Sequence, residues 1–155
     1  MRHGIAYERE EWKGNDDSRP LTEEGVQRTR AVAAALHKAG KLDLTEVWTS
    51  PLVRARQTAG LVAEVLQVPV KECAALGSGA SLTSLAKTFA LHRPPERFML
   101  VGHEPDTGLL LDALHKSKEF IAFKKAAVAH LSGDFEPGGM KLKWYLTPKD
   151  VLKEE

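Results

Sequence analysis

The sequence predicts a three-layer α/β/α sandwich with a mostly parallel central sheet. Three observations carry this reading. Amphipathic helical patterns occupy 21–39 and 51–67, short apolar runs at 46–49 and 97–101 alternate with them, and turn residues separate two late apolar runs at 126–131 and 140–146. Strands that alternate with helices pack as a parallel sheet covered on both faces. A chain of 155 residues with 43% hydrophobic and 28% charged content can bury one such core. The expected organisation is a single domain over 1–148 and a frayed Lys/Glu tail at 149–155.

The first helix, Leu21 to Ala39, opens on Thr22 as N-cap. Glu23 and Glu24 place negative charge where the helix N-terminus favours it, and Gly40 stops the helix. Val26, Thr29, Ala33 and Leu36 fall on one face. Glu46 to Thr49 then reads as a short strand. A second helix runs from Pro51 to about Gln67, with Ser50 as N-cap and Pro51 at the first helical position. Leu52, Ala55, Ala59, Val62, Ala63 and Leu66 form its apolar stripe. Arg97 to Val101 is a stronger strand, the unbroken run Phe98–Val101 being of the kind buried on both faces. A helix follows His103, with Pro105 near its first turn and Leu109, Leu110, Leu111 and Leu114 within it. Ala126 to Leu131 and Met140 to Leu146 are strands joined by Gly133-Asp134 and Pro137-Gly138-Gly139, a connection short enough for an antiparallel pair. Cys73, Trp48 and Trp144 read as buried structural residues.

Several function classes are disfavoured. A net charge of +1 gives no bulk attraction to nucleic acid or to an anionic membrane. No apolar run approaches the roughly 20 residues that cross a bilayer. The chain opens on charged residues, unlike a signal peptide, so a cytoplasmic protein is expected. His37, His92, His115 and His130 lack metal-ligand spacing with one another or with His3. No metal and no cofactor are therefore expected, and the oligomeric state is left open.

The chemistry concentrates in three clusters at strand-to-helix boundaries, where α/β folds bind ligands. They are Arg2-His3-Gly4, Ser50-Pro51-Leu52-Val53-Arg54 and Gly102-His103-Glu104-Pro105. If their strands are parallel neighbours, Arg2, His3, Arg54 and His103 meet on one rim. Two imidazoles and two guanidiniums suit a phosphoryl group, because guanidinium matches phosphate geometry and keeps its charge.

This pattern resembles the histidine phosphatase superfamily, the phosphoglycerate mutase-like fold, over nearly the whole chain. Arg2-His3-Gly4 corresponds to its Arg-His-Gly signature, Ser50 through Thr58 to Ser-Pro-x-x-Arg-x-x-x-Thr, and Gly102-His103 to the second-histidine motif. Arg19-Pro20-Leu21-Thr22-x-x-Gly25 is similar to the linker-and-helix pattern of short members, and the SixA-type phosphohistidine phosphatases look nearest. The resemblance implies that His3 is the nucleophile and carries the phosphoryl group as a phosphohistidine. It implies that Arg2, Arg54 and Arg19 bind phosphate oxygens and that His103 donates to the transferring group. Phosphate-binding residues are thus Arg2, Arg19, Arg54 and His103. The implied partner is a phosphorylated protein, with a small phosphorylated molecule as alternative; a non-catalytic phosphate or phosphoprotein-binding module is the competing class.

Two departures accompany the match. The acidic residue that many members carry after the third strand has no counterpart in Ala74-Ala75-Leu76-Gly77-Ser78-Gly79-Ala80. Asp16, Asp17, Glu104 and Asp106 are the candidate proton donors in its place. An alkoxide leaving group needs that proton, whereas imidazole departing from a P–N bond can leave already protonated, so the missing acid favours phosphohistidine-type substrates. In addition, only Met1 precedes Arg2-His3-Gly4. The first central strand is then cut short or begins upstream, with ladder bonds missing beside His3 and the α-amino group within about 7 Å of it. The polar loop Glu8–Ser18, with Trp12, is placed to cover the pocket or touch a protein substrate, and Lys124 and Lys125 read as a solvated strand edge.

Overall fold

The structure, a computed structural model, describes residues 1–116 and 119–154. Its parallel sheet has the order β2 (Val70–Glu72), β1 (Glu46–Thr49), β3 (Phe98–Val101). Alternation along these strands decides the layering. Val47, Met99 and Val101 face α1 (Glu23–Lys38) and α2 (Val53–Leu66), which contribute Val32, Leu36, Ala59 and Val62 to the main core. Trp48 and Leu100 face the other way, onto Leu85 and Phe89 of α3 (Leu82–Leu91) and Leu110 of α4 (Asp106–His115). Helices on both faces of a parallel sheet give the expected sandwich.

Residues 1–3 extend the sheet beyond β3. Met1 O accepts from Gly102 N (3.0 Å) and His3 N donates to Gly102 O (3.1 Å), as in a parallel ladder. On the opposite side Arg2 N donates to Ala127 O (3.1 Å) and Ala126 N to His3 O (3.0 Å). The segment therefore joins the parallel strands to the residues leading into the antiparallel hairpin β4 (Val128–Gly133) and β5 (Met140–Leu146). Short as it is, it has ladder bonds on both sides of the nucleophile candidate, contrary to the expected loss. The Met1 amine donates to Leu100 O (2.8 Å), and its burial pushes the amine pKa down to about 5 despite the nearby Glu104 charge.

Other expectations need correction. Ser50 is not an N-cap and Pro51 is not helical: α2 starts at Val53 with Leu52 as cap residue, because Ser50 still belongs to the sheet, donating its N–H to Val101 O (3.0 Å). The segment 149–154 is not frayed. Pro148–Val151 form α5, closed by a capping box between Thr147 and Asp150, and Glu154 chelates Arg28 of α1 through two hydrogen bonds of 2.7 and 2.9 Å. Glu155 lies outside the described residues. By contrast, Thr22 caps α1 as read, its Oγ1 accepting from Gly25 N (2.9 Å). Cys73 and Trp48 are buried, and Trp144 is partly buried against the main core. Among the described residues no helix is long and apolar enough to cross a membrane.

Gly25 fixes how closely α1 approaches the segment after the first cluster. A Cβ built there would lie 2.0 Å from Ile5 O, a backbone atom that cannot swing aside. Overpacking costs about 3 kcal/mol, while alanine in a helix gains up to about 1 kcal/mol over glycine, so the clash wins. Gly25→Ala is expected to lower the thermal midpoint by about 4–8 °C, measured by calorimetry; a rise would show that the two segments can separate without cost.

Candidate active site

The parallel register brings the three clusters to one edge. β1 ends at Thr49 opposite Val101 of β3, so Ser50 and Gly102-His103 emerge together, and the ladder at Gly102 sets His3 beside them. Arg54 follows in the first turn of α2. His3, Arg54 and His103 are all buried, and the two imidazoles stand 5.3 Å apart between centroids. Together with Arg2, Arg19 and Glu104 they line a cavity of about 320 Å³.

Hydrogen bonds define the state of each group. His3 Nδ1 lies 2.7 Å from Gly4 O. A carbonyl only accepts, so Nδ1 carries the proton and Nε2 keeps its lone pair. Gly4 N in turn donates to Thr58 Oγ1 (3.0 Å), which donates to Arg54 O (2.8 Å), tying the Arg-His-Gly segment to α2. His103 Nε2 is 2.7 Å from Ser50 Oγ, and its Nδ1 is buried without a protein partner. Arg2 donates through Nη1 to Phe123 O (2.8 Å) and Arg54 through Nη1 to Asp16 O (2.9 Å), while the Nε–H of both is buried and unpaired. Three buried donors or potential donors, on residues that line the cavity, have no protein acceptor. Such groups are costly unless a ligand satisfies them.

Electrostatics keep the imidazoles neutral. Desolvation, joined by the charges of His103, Arg54 and Arg2, pushes His3 down to about 3 against the raising effect of the Gly4 hydrogen bond. Desolvation and then Arg54 push His103 down to about 4. Burial also lowers Arg2 and Arg54 from their ordinary range, which leaves guanidinium charged at neutral pH. In an unfolded chain both imidazoles titrate near pH 6.5. Between about pH 6.5 and 3–4 the unfolded chain therefore binds more protons, and folded stability falls as pH is lowered through that window. The thermal midpoint is expected to drop between pH 7.5 and pH 5, and less steeply in His103→Gln; equal slopes would show that His103 protonates freely in the folded protein.

The carboxylate candidates separate. Asp16, on a 3-10 turn at Asp16–Ser18, meets Arg19 Nε at 3.0 Å, Arg54 Nη2 at 3.4 Å and Arg9 Nε at 3.6 Å. Partial desolvation opposes ionisation, but the Arg19 hydrogen bond and the three guanidinium charges hold its carboxyl below the usual range. Asp17 is exposed and outside the cavity lining. Asp106 is occupied elsewhere, accepting from Gly79 N (2.9 Å) and Ala80 N (3.2 Å). Glu104 alone of the four lines the cavity, its Oε1 accepting from Thr107 Oγ1 and from Gly108 N (2.8 Å).

Arg19 reaches the cavity but is engaged, donating to Asp16 and to Tyr7 O (2.6 Å). Trp12 is not in the lining; it stacks on Tyr7 with centroids 6.3 Å apart. Sequence reasoning missed Ser50 as the partner of His103, since the serine also fits a helix cap. It passed over Thr58, whose only signal was the closing Thr of the Ser50–Thr58 motif. The polar loop that begins at Glu8 contributes Glu8, Arg9 and Glu10 to the lining, and Lys125, read as a solvated strand edge, joins them. Among the described residues no group of three His, Cys, Asp or Glu side chains could hold a metal ion.

Known proteins carry the same architecture. The sequence profile of the histidine phosphatase superfamily (branch 1) matches residues 1–77. An uncharacterized protein of Picosynechococcus sp. is 38% identical over 138 residues, covering 84% of this chain and 81% of the relative. The phosphohistidine phosphatase SixA of Escherichia coli is 28% identical over 153 residues, 96% of this chain and 91% of SixA. A structure of the protein histidine phosphatase SixA complexed with tungstate superposes with a TM-score of 0.83 at 25% identity, over 97% of this chain and 96% of that one.

Proposed function

The chain belongs to the histidine phosphatase superfamily, whose phosphatases act on phosphorylated substrates, and on that premise we propose that it removes phosphate from phosphohistidine in a protein through a phosphorylated His3. The observation that carries this is the buried pair His3 and His103, which line one cavity together with Arg2 and Arg54. Tungstate in the similar SixA is a tetrahedral oxyanion, the shape these donors suit.

In this reading His3 Nε2, made available by the Nδ1–H bond to Gly4 O, attacks phosphorus in line and forms the N–P bond as the bond to the leaving group breaks. Arg2, Arg54 and Arg19 hold the non-bridging oxygens and supply the positive charge, so no metal is invoked. With Ser50 O–H donating to His103 Nε2, Nδ1 carries the proton and is the ring atom left to donate to the transferring group. Water then attacks the phosphorylated His3 and releases phosphate. Asp16, held anionic by three arginines, orients guanidiniums and is a poor proton donor. Glu104 is the acid candidate within the cavity, and its Oε1 is already engaged by Thr107 Oγ1 and Gly108 N. A site short of a strong acid turns over best a leaving group that is already protonated, and the imidazole of phosphohistidine is one.

The test is a comparison of kcat/KM for a phosphohistidine peptide and phosphoramidate against 3-phosphoglycerate and other alkyl phosphates. The P–N substrates are expected to be faster by at least about tenfold. Faster turnover of an alkyl phosphate would overturn the proposal in favour of a small-molecule phosphomonoesterase, and absence of turnover on every substrate would favour a binding module.

A further inference from the structure

Beside the catalytic cavity lies a second cleft of about 420 Å³ that the mechanism does not use. Arg2 and Lys125 line both, so the two are adjacent. The walls of the second cleft carry Arg28 from α1, Lys124 and Lys125 from the segment before β4, and Lys149 from α5. Ile5, Ala126 and Pro148 supply apolar surface between them. Among the described residues no acidic side chain lines it. The carboxylates that act on its cations stand outside the lining: Glu154, bonded to Arg28 and close to Lys149, Glu24 near Arg28, Glu104 near Arg2, and Glu8, 4.0 Å from Lys125. In a chain of net charge +1 this is a local concentration of positive charge, made by four segments far apart in sequence, Arg2 included.

We propose that this cleft docks an acidic segment of the protein substrate, next to the phosphorylated residue held in the catalytic cavity. The inference rests on the protein-phosphatase reading and adds the substrate's local charge to it. Charge complementarity selects carboxylates, and the apolar strip accepts the methylene stems and small side chains of a peptide. A nucleic acid fits less well, because no aromatic side chain lines the cleft for base stacking. Lys124 and Lys125 thus change from a solvated strand edge to a recognition element.

The experiment uses two phosphohistidine peptides, one with Asp and Glu beside the phosphohistidine and one with Asn and Gln at the same places. The acidic peptide is expected to show a KM about tenfold lower on the full chain. In the double variant Lys124→Glu with Lys149→Glu that preference should vanish or reverse, with kcat nearly unchanged and the thermal midpoint retained. An equal KM for both peptides on the parent chain, or an equal loss on both in the variant, would overturn the docking site. If neither peptide is hydrolysed, the phosphohistidine reading fails, and the cleft is judged by fluorescence anisotropy of the unphosphorylated acidic peptide. Binding that is lost in the double variant supports the cleft; binding that is absent, or unchanged in the variant, overturns it. Tighter binding of a single-stranded oligonucleotide, lost in the same variant, would also overturn it.

Discussion

Replacing His3 with alanine is expected to lower kcat by about 10⁴-fold or more, the scale seen when a covalent nucleophile is removed. The side chain sits on backbone bonds that the substitution keeps, since His3 N donates to Gly102 O and His3 O accepts from Ala126 N. The fold should therefore survive, and the loss should be chemical. The direct check is isotopic: parent chain quenched during turnover and held in alkali, where phosphohistidine survives, should carry label, and His3→Ala should carry none. Turnover in His3→Ala at the parental rate, or label that persists in it, would move the nucleophile elsewhere.

Arg54→Ala is expected to cost about 10²–10³-fold in kcat/KM, as when one donor to a developing oxyanion is removed. The side chain is buried, and it lines the cavity beside His3 and His103. Arg54→Lys should recover less than about tenfold of that, because a lysine keeps the charge and loses the planar fork. Two contacts are lost besides, those to Asp16 O and Asp16 Oδ2, so the 3-10 turn that orients Arg19 loosens as well. Steady-state kinetics on phosphoramidate decide it. Full activity in Arg54→Lys would show that only charge is needed.

The fold was readable where local chemistry and burial agree. Thr22 and Gly40 bracket α1, and the Phe98–Val101 run marks β3 as a strand of the parallel sheet, although Phe98 and Leu100 on one face are only partly buried. It was unreadable where they diverge. β2 has three residues, all exposed, and so leaves no apolar pattern. α3 follows a Gly-Ser-Gly stretch, and its start is fixed by a Ser81–Ser84 capping box in which serine replaces the usual Glu or Gln. α5 lies inside a charged tail, and its Thr147–Asp150 box was outweighed by the lysines and glutamates around it. The gathering of Arg2, His3, Arg54 and His103 could be inferred because strand ends in a parallel sheet share an edge. The Asp16 bridge among Arg9, Arg19 and Arg54 could not, since a 3-10 turn and its side-chain directions leave no period in the sequence.

The three residues that seat the nucleophile pair with partners about a hundred positions away: Met1 with Leu100 and Gly102, Arg2 with Phe123 and Ala127, His3 with Ala126. A ribosome delivers this segment about a hundred residues ahead of its neighbours. Until β3 and then residues 126–127 have emerged, the Arg-His-Gly segment lacks its full set of ladder partners, and before that the reactive imidazole is an ordinary one in water with a pKa near 6.5. Closing so large a loop is slow compared with forming α1 or α2. Catalytic competence should then appear as a late event in refolding, after helical signal has recovered, and a chain that stops after α4 should be helical and inert.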